Sequence, residues 1–563
     1  MDEFDIEINP NVEINDSSTS LPNKTIFKQL KINEKQEPIL TKKELFAWYF
    51  YAFACEVYSV VSISSFIPLI LEQFASENGV TSIDHLPCNT AKEEEVRCVV
   101  NIFGFWIDTA SFSLYTFSLS VILQAITTIS IGATADHGAM RKTLLLNFAF
   151  VGSISAMLFL LIPPGSFIIA GILTIIGNVC FGVAFVCFNG YLPVIVRNHR
   201  DVRRISNEIK NYIINKNNTD DQHDSQVEDY ESILEERKLL NSQDPILIDL
   251  IENLLKTKDR ISTHISARGF ASGYFGGIIL LTICLSISFL LHTSTYSLQI
   301  GVFLSGIWWS LFSLFVAKWL QPRPGPPLFF DEERKIRWID YVTFSWKRLW
   351  KTILQVKKLE MTFRFLIAWI LISDGCTAIS SVALLFAKTT LNIDTSGLII
   401  LTLTAPISAL ISTLLFPRLI KLSVKKSTIL LLFMLLFIPI YGCLGLILPI
   451  GGLKTSGELY FMALWFGFVL GSLQSYCRTM FAELVPRGRE TEFFALYAIT
   501  DKGSSWFGPS LIAIIIDITH EIRYGFLLLI VLIFLSIPII WFVDEKKGKE
   551  DAGNSFTENE DTF

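Results

Sequence analysis

The chain has 563 residues, of which 51% are hydrophobic and 18% charged, and its mean hydropathy is +0.47. Soluble domains carry about 25% charged residues, and 53 acids against 47 bases is too even a balance for a nucleic-acid partner. Nine cysteines are too sparse for a disulfide scaffold. The composition is that of a polytopic membrane protein.

Residues 1–45 read as a polar cytosolic tail, with six acids among the first sixteen residues. That start lacks the basic n-region of a signal peptide, so the first span is expected to serve as its own insertion signal. Crossing the hydrocarbon core takes about 20 apolar residues. By that measure twelve spans are predicted, the first six near 46–74, 109–132, 143–162, 167–196, 271–292 and 299–320. The second six lie near 363–387, 397–416, 428–449, 459–482, 493–517 and 522–543. A cytosolic insertion at about 197–270 interrupts the N-terminal half (46–320). A central cytosolic loop, 321–362, separates it from the C-terminal half (363–543), and 544–563 form a cytosolic tail. Within the insertion, Lys216–Glu228 reads as disordered, whereas Leu247, Leu250, Ile251, Leu254 and Leu255 make an amphipathic helical stripe suited to the membrane surface or the bundle.

With both termini in the cytosol, 38 of the 47 Lys and Arg fall on the inner side, as the positive-inside rule requires. The sequons at Asn15, Asn23 and Asn217 then face the cytosol and are expected to stay unglycosylated. Cys88 and Cys98 share the long outer loop, where both a bridge and two free thiols are open readings.

The two sets of six form a weak parallel repeat, the mark of the major facilitator fold, with substrate expected between the halves. The link between the second and third spans, Gly132-Ala-Thr-Ala-Asp136-His-Gly138-Ala-Met-Arg141-Lys142, resembles that superfamily's cytoplasmic signature. Gly132 would allow close helix approach, while Asp136, Arg141 and Lys142 would form a gate. The competing reading is a plain basic loop.

A charge at mid-bilayer costs about 2.5–3.5 kcal/mol on insertion scales, so it faces a cavity or a partner. Glu56 in the first span and Asp374 in the seventh occupy matching depths and are proton-coupling candidates; a structural pair is the alternative. Asp501 and Lys502, followed by glycines and Pro509, are candidates for a substrate cavity or a gate, as are Asn178, Gln474, Ser475 and Tyr497. No histidine falls mid-span, and no nucleophile elbow, zinc motif or phosphate loop is present, so no enzyme, metal or cofactor is expected.

Several segments resemble one fungal family, that of autophagy-related protein 22, the vacuolar amino-acid effluxers. The strongest runs from Gly471 through Gln474-Ser475-Tyr476-Cys477-Arg478, then Pro486 to Tyr497, then Asp501-Lys502-Gly503-Ser504-Ser505 to Gly508-Pro509. Trp48-Tyr49-Phe50-Tyr51 with Glu56, Ser65-Phe66-Ile67-Pro68, Gly269 to Tyr274, Trp308-Trp309 and Ser373-Asp374-Gly375 add to it. Cys477 stands where the family more often has serine. The resemblance implies a transporter in the vacuole membrane that releases neutral amino acids, of the leucine, isoleucine and tyrosine type, after autophagic protein breakdown. An acidic lumen would supply a proton for symport, with uncoupled efflux as the alternative. Its partners would be the amino-acid substrate, the lipid bilayer and a vacuolar sorting adaptor reading Glu235, Leu239 and Leu240. A facilitator of another small solute and a non-transporting membrane receptor or scaffold remain as other readings.

Overall fold

The computed structural model describes residues 38–81, 98–102, 104–163, 165–217, 244–290, 295–325, 338–354, 359–389, 395–447, 451–486, 489–502 and 522–560. It also describes the single residues 391, 393, 508, 511, 512 and 515. The N-terminal half contains α1 (Lys42–Glu77), α2 (Thr109–Ala135), α3 (Met140–Leu158), α4 (Phe167–Arg197), α5 (Arg200–Asn217), α6 (Pro245–Leu290) and α7 (Thr295–Trp319). Next comes α8 (Trp338–Leu354), in the central loop. The C-terminal half contains α9 (Glu360–Thr389), α10 (Thr395–Leu419), α11 (Val424–Ile447), α12 (Ser456–Glu483), α13 (Glu490–Lys502) and α14 (Gly525–Trp541), followed by α15 (Glu545–Glu560). Among the described residues ten helices are long and apolar enough to cross a membrane, with Leu403–Leu419 of α10 a shorter apolar one.

Without water in a bilayer core, backbone groups must bond within the helix. The exposed faces are apolar to match, with Ile122, Ile126, Ile154, Phe433 and Phe534 turned outward. Helix starts are capped from the sequence. Thr41 accepts from the Glu44 N–H at 3.2 Å, and Thr455 from the Glu458 N–H at 3.4 Å. The middle of α1, Tyr58–Phe66, is wound as a π-helix, and Ser65 Oγ donates to the Val60 carbonyl there at 2.9 Å.

α1 packs on α6 and α7, and α4 on α2 and α3; the second half pairs α10 with α12, and α14 with α9 and α11. The α10–α12 contact uses small residues. A Cβ at Gly467 or Gly471 would collide with the backbone of Ala405 or Ala409, and Ser408 donates to the Leu464 carbonyl at 2.6 Å. The halves meet along α6 against α10 and α12, and along α13 against α2 and α4.

Four features differ from the sequence expectation. The helix that carries the predicted fifth span begins well before it, at Pro245, because nothing in 245–270 breaks the helix. The stripe of Leu247, Ile251 and Leu254 is buried in that extension, which packs with α5, where Val202, Ile205, Ile209 and Ile213 are buried. The central loop is partly helical, α8 lying on α2. Thr134 bonds to Ser345 at 3.0 Å, and Trp346 donates to Ser130 at 2.9 Å. The terminal segment forms a docked helix, with Gly548 against Leu484 and Met361. Finally, β1 (Val80–Thr81), β2 (Cys98–Ile102) and β3 (Phe105–Asp108) make a small antiparallel sheet between α1 and α2.

One end of the bundle gathers the α2–α3 link, the starts of α1, α9, α11 and α13, and many Arg and Lys side chains. At this basic end Glu44 and Arg323 form a buried bidentate pair at 2.7 and 2.8 Å. The Leu40 N–H donates to the Asn198 carbonyl at 2.9 Å, and the Gly325 N–H to the Gly138 carbonyl at 3.0 Å.

Candidate functional site

Two layers of polar side chains lie between the halves. The first seals the basic end. Asp136 follows α2 at a tight turn, completed by Gly138 at a φ of 52°. Its carboxylate accepts the N–H groups of Thr491 (2.7 Å) and Glu492 (3.0 Å) in the first turn of α13. Those donors have no partner inside the helix, and the helix dipole favours an anion there. Arg141 bonds to Asp136 (2.6 Å), Glu490 (3.0 Å) and the Thr491 hydroxyl (3.0 Å), with its guanidinium over the Tyr191 ring. Arg197 reaches Glu490 at 3.5 Å, while Arg489 and Arg348 both reach Glu492, at 2.6 and 3.0 Å. Two glycines bring the backbones this close. A Cβ on Gly132 would sit 3.2 Å from the Ala495 Cβ, and one on Gly190 would sit 2.7 Å from Thr491 Oγ1. Lys142, one residue past Arg141 and so about 100° around the helix, is half-buried and makes no ion pair with a described residue.

The second layer lies deeper. Glu56 and Asp374 each stand fourteen residues from the first residue of their helix, about 21 Å along it. Glu56 is half-buried and packs against Gly273 of α6, where a Cβ would fall 2.5 Å from its Cγ. Asp374 is fully buried, and its Oδ1 accepts the Gly508 N–H at 3.0 Å. Beside it Ser373 donates to Asp501 Oδ1 at 2.6 Å and to the Asp501 carbonyl at 2.9 Å. Tyr274 of α6 donates to Gln474 of α12 at 2.8 Å. The Ser475 carbonyl accepts from Ser266 Oγ at 3.0 Å. Tyr497 stacks between Trp369 and Phe481, at centroid distances of 4.8 and 4.9 Å.

Of the residues singled out from sequence, Gln474 and Ser475 are thus joined across the halves to Tyr274 and Ser266, Glu56 packs on Gly273 within the first half, and the bonds and ring contacts of Tyr497, Asp501 and Asp374 are made within the second. Asn178 lies elsewhere. It donates to Ser120 at 2.5 Å beside a small pocket lined by Ile63, Ile67, Phe117 and Thr174, inside the N-terminal half. The Lys502 side chain, Cys88, Glu235, Leu239 and Leu240 lie outside the described residues, as does the side chain of Cys98. No group of three or more His, Cys, Asp or Glu among the described residues is placed to hold a metal.

Sequence reasoning missed Glu490, Glu492, Arg197 and Arg348 as members of the first layer, since, Arg489 beside Glu492 apart, their partners lie more than 100 residues away. It also passed over Arg478, a cation inside an apolar helix, which is the signal that would have found it. Arg478 is fully buried and crosses from α12 into the N-terminal half, bonding to Ser266 and Asn189.

A family model described as vacuole effluxer Atg22 like matches residues 40–553. Autophagy-related protein 22-1 of Aspergillus fumigatus is 38% identical, covering 91% of both chains. Autophagy-related protein 22 of Botryotinia fuckeliana is 39% identical over 91% of this chain and 82% of its own. Among solved structures, the major facilitator superfamily proton:xylose symporter XylE superposes with a TM-score of 0.56 at 12% identity, covering 92% of this chain and all (100%) of that one. A bacterial homologue of the iron transporter ferroportin, in an outward-facing state, gives 0.55 at 11% identity over 89% and 98%. At such low identity these two establish the fold alone. A multi-pass bundle of two six-helix halves, a sealed polar interface between them and the match along nearly the whole chain converge: the chain belongs to the Atg22-like vacuole effluxer family and has the major facilitator transporter fold.

Proposed function

We propose that the protein carries neutral amino acids, of the leucine, isoleucine and tyrosine type, from the vacuole lumen to the cytosol after autophagic protein breakdown, together with a proton. The basic end is the cytosolic face in this reading, since it collects most of the Lys and Arg. The conformation is then closed to the cytosol. The observation that carries the proposal is the polar layer between the halves, Glu56, Tyr274, Gln474 and Arg478, lying behind the sealed end within one transporter fold. Glu56 is the preferred proton carrier. Asp374 is already engaged by the Gly508 N–H, which suits a structural role.

Substrate and proton enter Glu56's layer from the lumen, and rocking of the halves breaks the Asp136–Arg141–Glu490 contacts and exposes the layer to the cytosol. The test is counterflow of labelled leucine in liposomes holding the purified protein, with unlabelled amino acids as competitors. Exchange competed by isoleucine and tyrosine is expected. No exchange with any amino acid, from folded protein, overturns the substrate class and leaves another small solute. Glu56→Gln is expected to abolish the dependence of net flux on a pH gradient while preserving exchange. An unchanged dependence means that Glu56 does not carry the proton.

A further inference from the structure

Arg478 stands five residues before the end of α12, with 2% of its surface exposed. It belongs to the C-terminal half, yet each of its hydrogen bonds is made to the other one. Nε donates to Ser266 Oγ at 3.0 Å, Nη2 to the Ser266 carbonyl at 2.8 Å and Nη1 to Asn189 Oδ1 at 3.2 Å. The rings around it also come from the N-terminal half, with Phe270 at 3.9 Å, Trp48 at 5.3 Å and Phe188 at 5.9 Å from ring centroid to guanidinium carbon. Gly269 preserves this fit, because a Cβ there would run into the Trp48 ring and lie 3.2 Å from Nη2.

No carboxylate among the described residues touches this charge, and Glu56 acts on it only through space. Arg141, Arg323 and Arg489 are equally buried, and each meets a carboxylate at 2.6–2.7 Å. Arg478 forms no ion pair with any described residue and rests on three neutral oxygens and three π faces. Burying a cation without an anion is costly, and a charge kept inside a membrane bundle at that cost marks a functional site. Every partner that steadies it leaves with the N-terminal half when the basic end opens. What remains on the C-terminal side is a planar fork of donors facing the pathway, a geometry that takes a carboxylate through two parallel bonds.

We infer that Arg478 binds the α-carboxylate of the transported amino acid on the exit side of the pathway, with Ser266 and Asn189 standing in for that carboxylate while the basic end is closed. The inference rests on the amino-acid reading given above and adds to it the group by which the substrate is held. It also assigns an order. The substrate replaces the neutral oxygens as the halves part, so the guanidinium is never left bare.

The test uses the full-length protein in liposomes and labelled-leucine counterflow, competed by unlabelled leucine, leucinamide and leucinol. Leucine is expected to compete at least tenfold better than either analogue, both of which lack the carboxylate. Arg478→Lys keeps the charge without the fork and is expected to raise the KM for leucine at least tenfold, with the maximal rate changed far less. Arg478→Gln is expected to erase the preference for leucine over leucinamide, a ratio that a purely structural role would leave intact. Equal competition by leucinamide in the unaltered protein overturns the inference alone, as does a preserved preference in Arg478→Gln. Absence of any amino-acid exchange overturns the amino-acid reading, and this inference with it. Should Arg478→Gln fail to fold, the competition series and Arg478→Lys decide.

Discussion

The two ends of the bundle are tied in different ways. At the basic end many bonds cross between the halves, with Asp136 bonded to the start of α13, Arg141 and Arg197 to Glu490, and Lys549 of α15 to both Asp259 and Glu483, although the Glu44–Arg323 pair does not. At the opposite end those among the described residues stay within one half. Asn78 reaches the Gly165 carbonyl and Gln299 the carbonyls of Phe159 and Ile162, all in the first half. Arg523 reaches the carbonyls of Gly452 and Leu453, and Tyr441 reaches Glu458, all in the second. The difference teaches how a rocking carrier can be both stable and mobile. Each half is held together by contacts that survive the motion. The contacts between them are charged and discrete, and their Coulomb gain is offset by desolvation, so they set the register without making closure irreversible.

That contrast is broken most severely by Asp136→Ala, which strips two N–H groups of α13 of their acceptor and leaves Glu490 as the one carboxylate on Arg141 among the described residues. A loss of about 3–5 kcal/mol from the closed form is expected, read as a lower thermal unfolding midpoint. Thiol labelling of an Ala495→Cys reporter should rise at the same time, since Ala495 is buried against Gly132. Glu44→Gln sharpens the contrast, because it weakens a buried pair confined to the first half. It should lower the midpoint by the equivalent of about 2–3 kcal/mol and leave labelling at 495 unchanged. Gly190→Val, a wedge against Thr491, is expected to cost the closed form about 1–3 kcal/mol and to raise labelling without touching a charge.

The smallest effect concerns α15. Burial pushes the Glu545 carboxyl above its ordinary value of 4.5, although Lys549 opposes the shift. The docked carboxyl therefore holds its proton more tightly than a free one. The stabilisation is complete below about pH 4.5 and is lost as pH rises through the raised value. The unfolding midpoint of the native chain should fall over that window relative to Glu545→Gln, in which the slope should vanish.

Much of this architecture was legible in the sequence, because hydropathy alone sets where a chain can cross lipid. Asp136 and Arg141 were legible too, as a short motif whose members bond to each other. Their partners were not. Glu490 lies 349 residues from Arg141, and Glu44 lies 279 from Arg323, so no local spacing joins them. Nor could the sequence say which face of a span looks inward, since lipid and protein core are both apolar and the helical period fades. That is why Asn178 read as a cavity candidate, although it pairs with Ser120 inside one half. The helix at 338–354 was hidden for another reason: its aromatic and basic residues look like any interfacial loop until α2 is there to dock on.

Lys549 lies 290 residues after Asp259, the carboxylate it joins to Glu483. At about 5–20 residues per second of synthesis, Asp259 waits about 15–60 s in the growing chain before its cation is made. The tie between the halves therefore closes after α6 and every helix of the second half have been inserted. Until then the halves are held only by the earlier ties, Arg141 to Glu490 and Arg478 to Ser266 among them. A chain stalled before residue 549 would carry every helix up to α14 with this last tie at the basic end unmade.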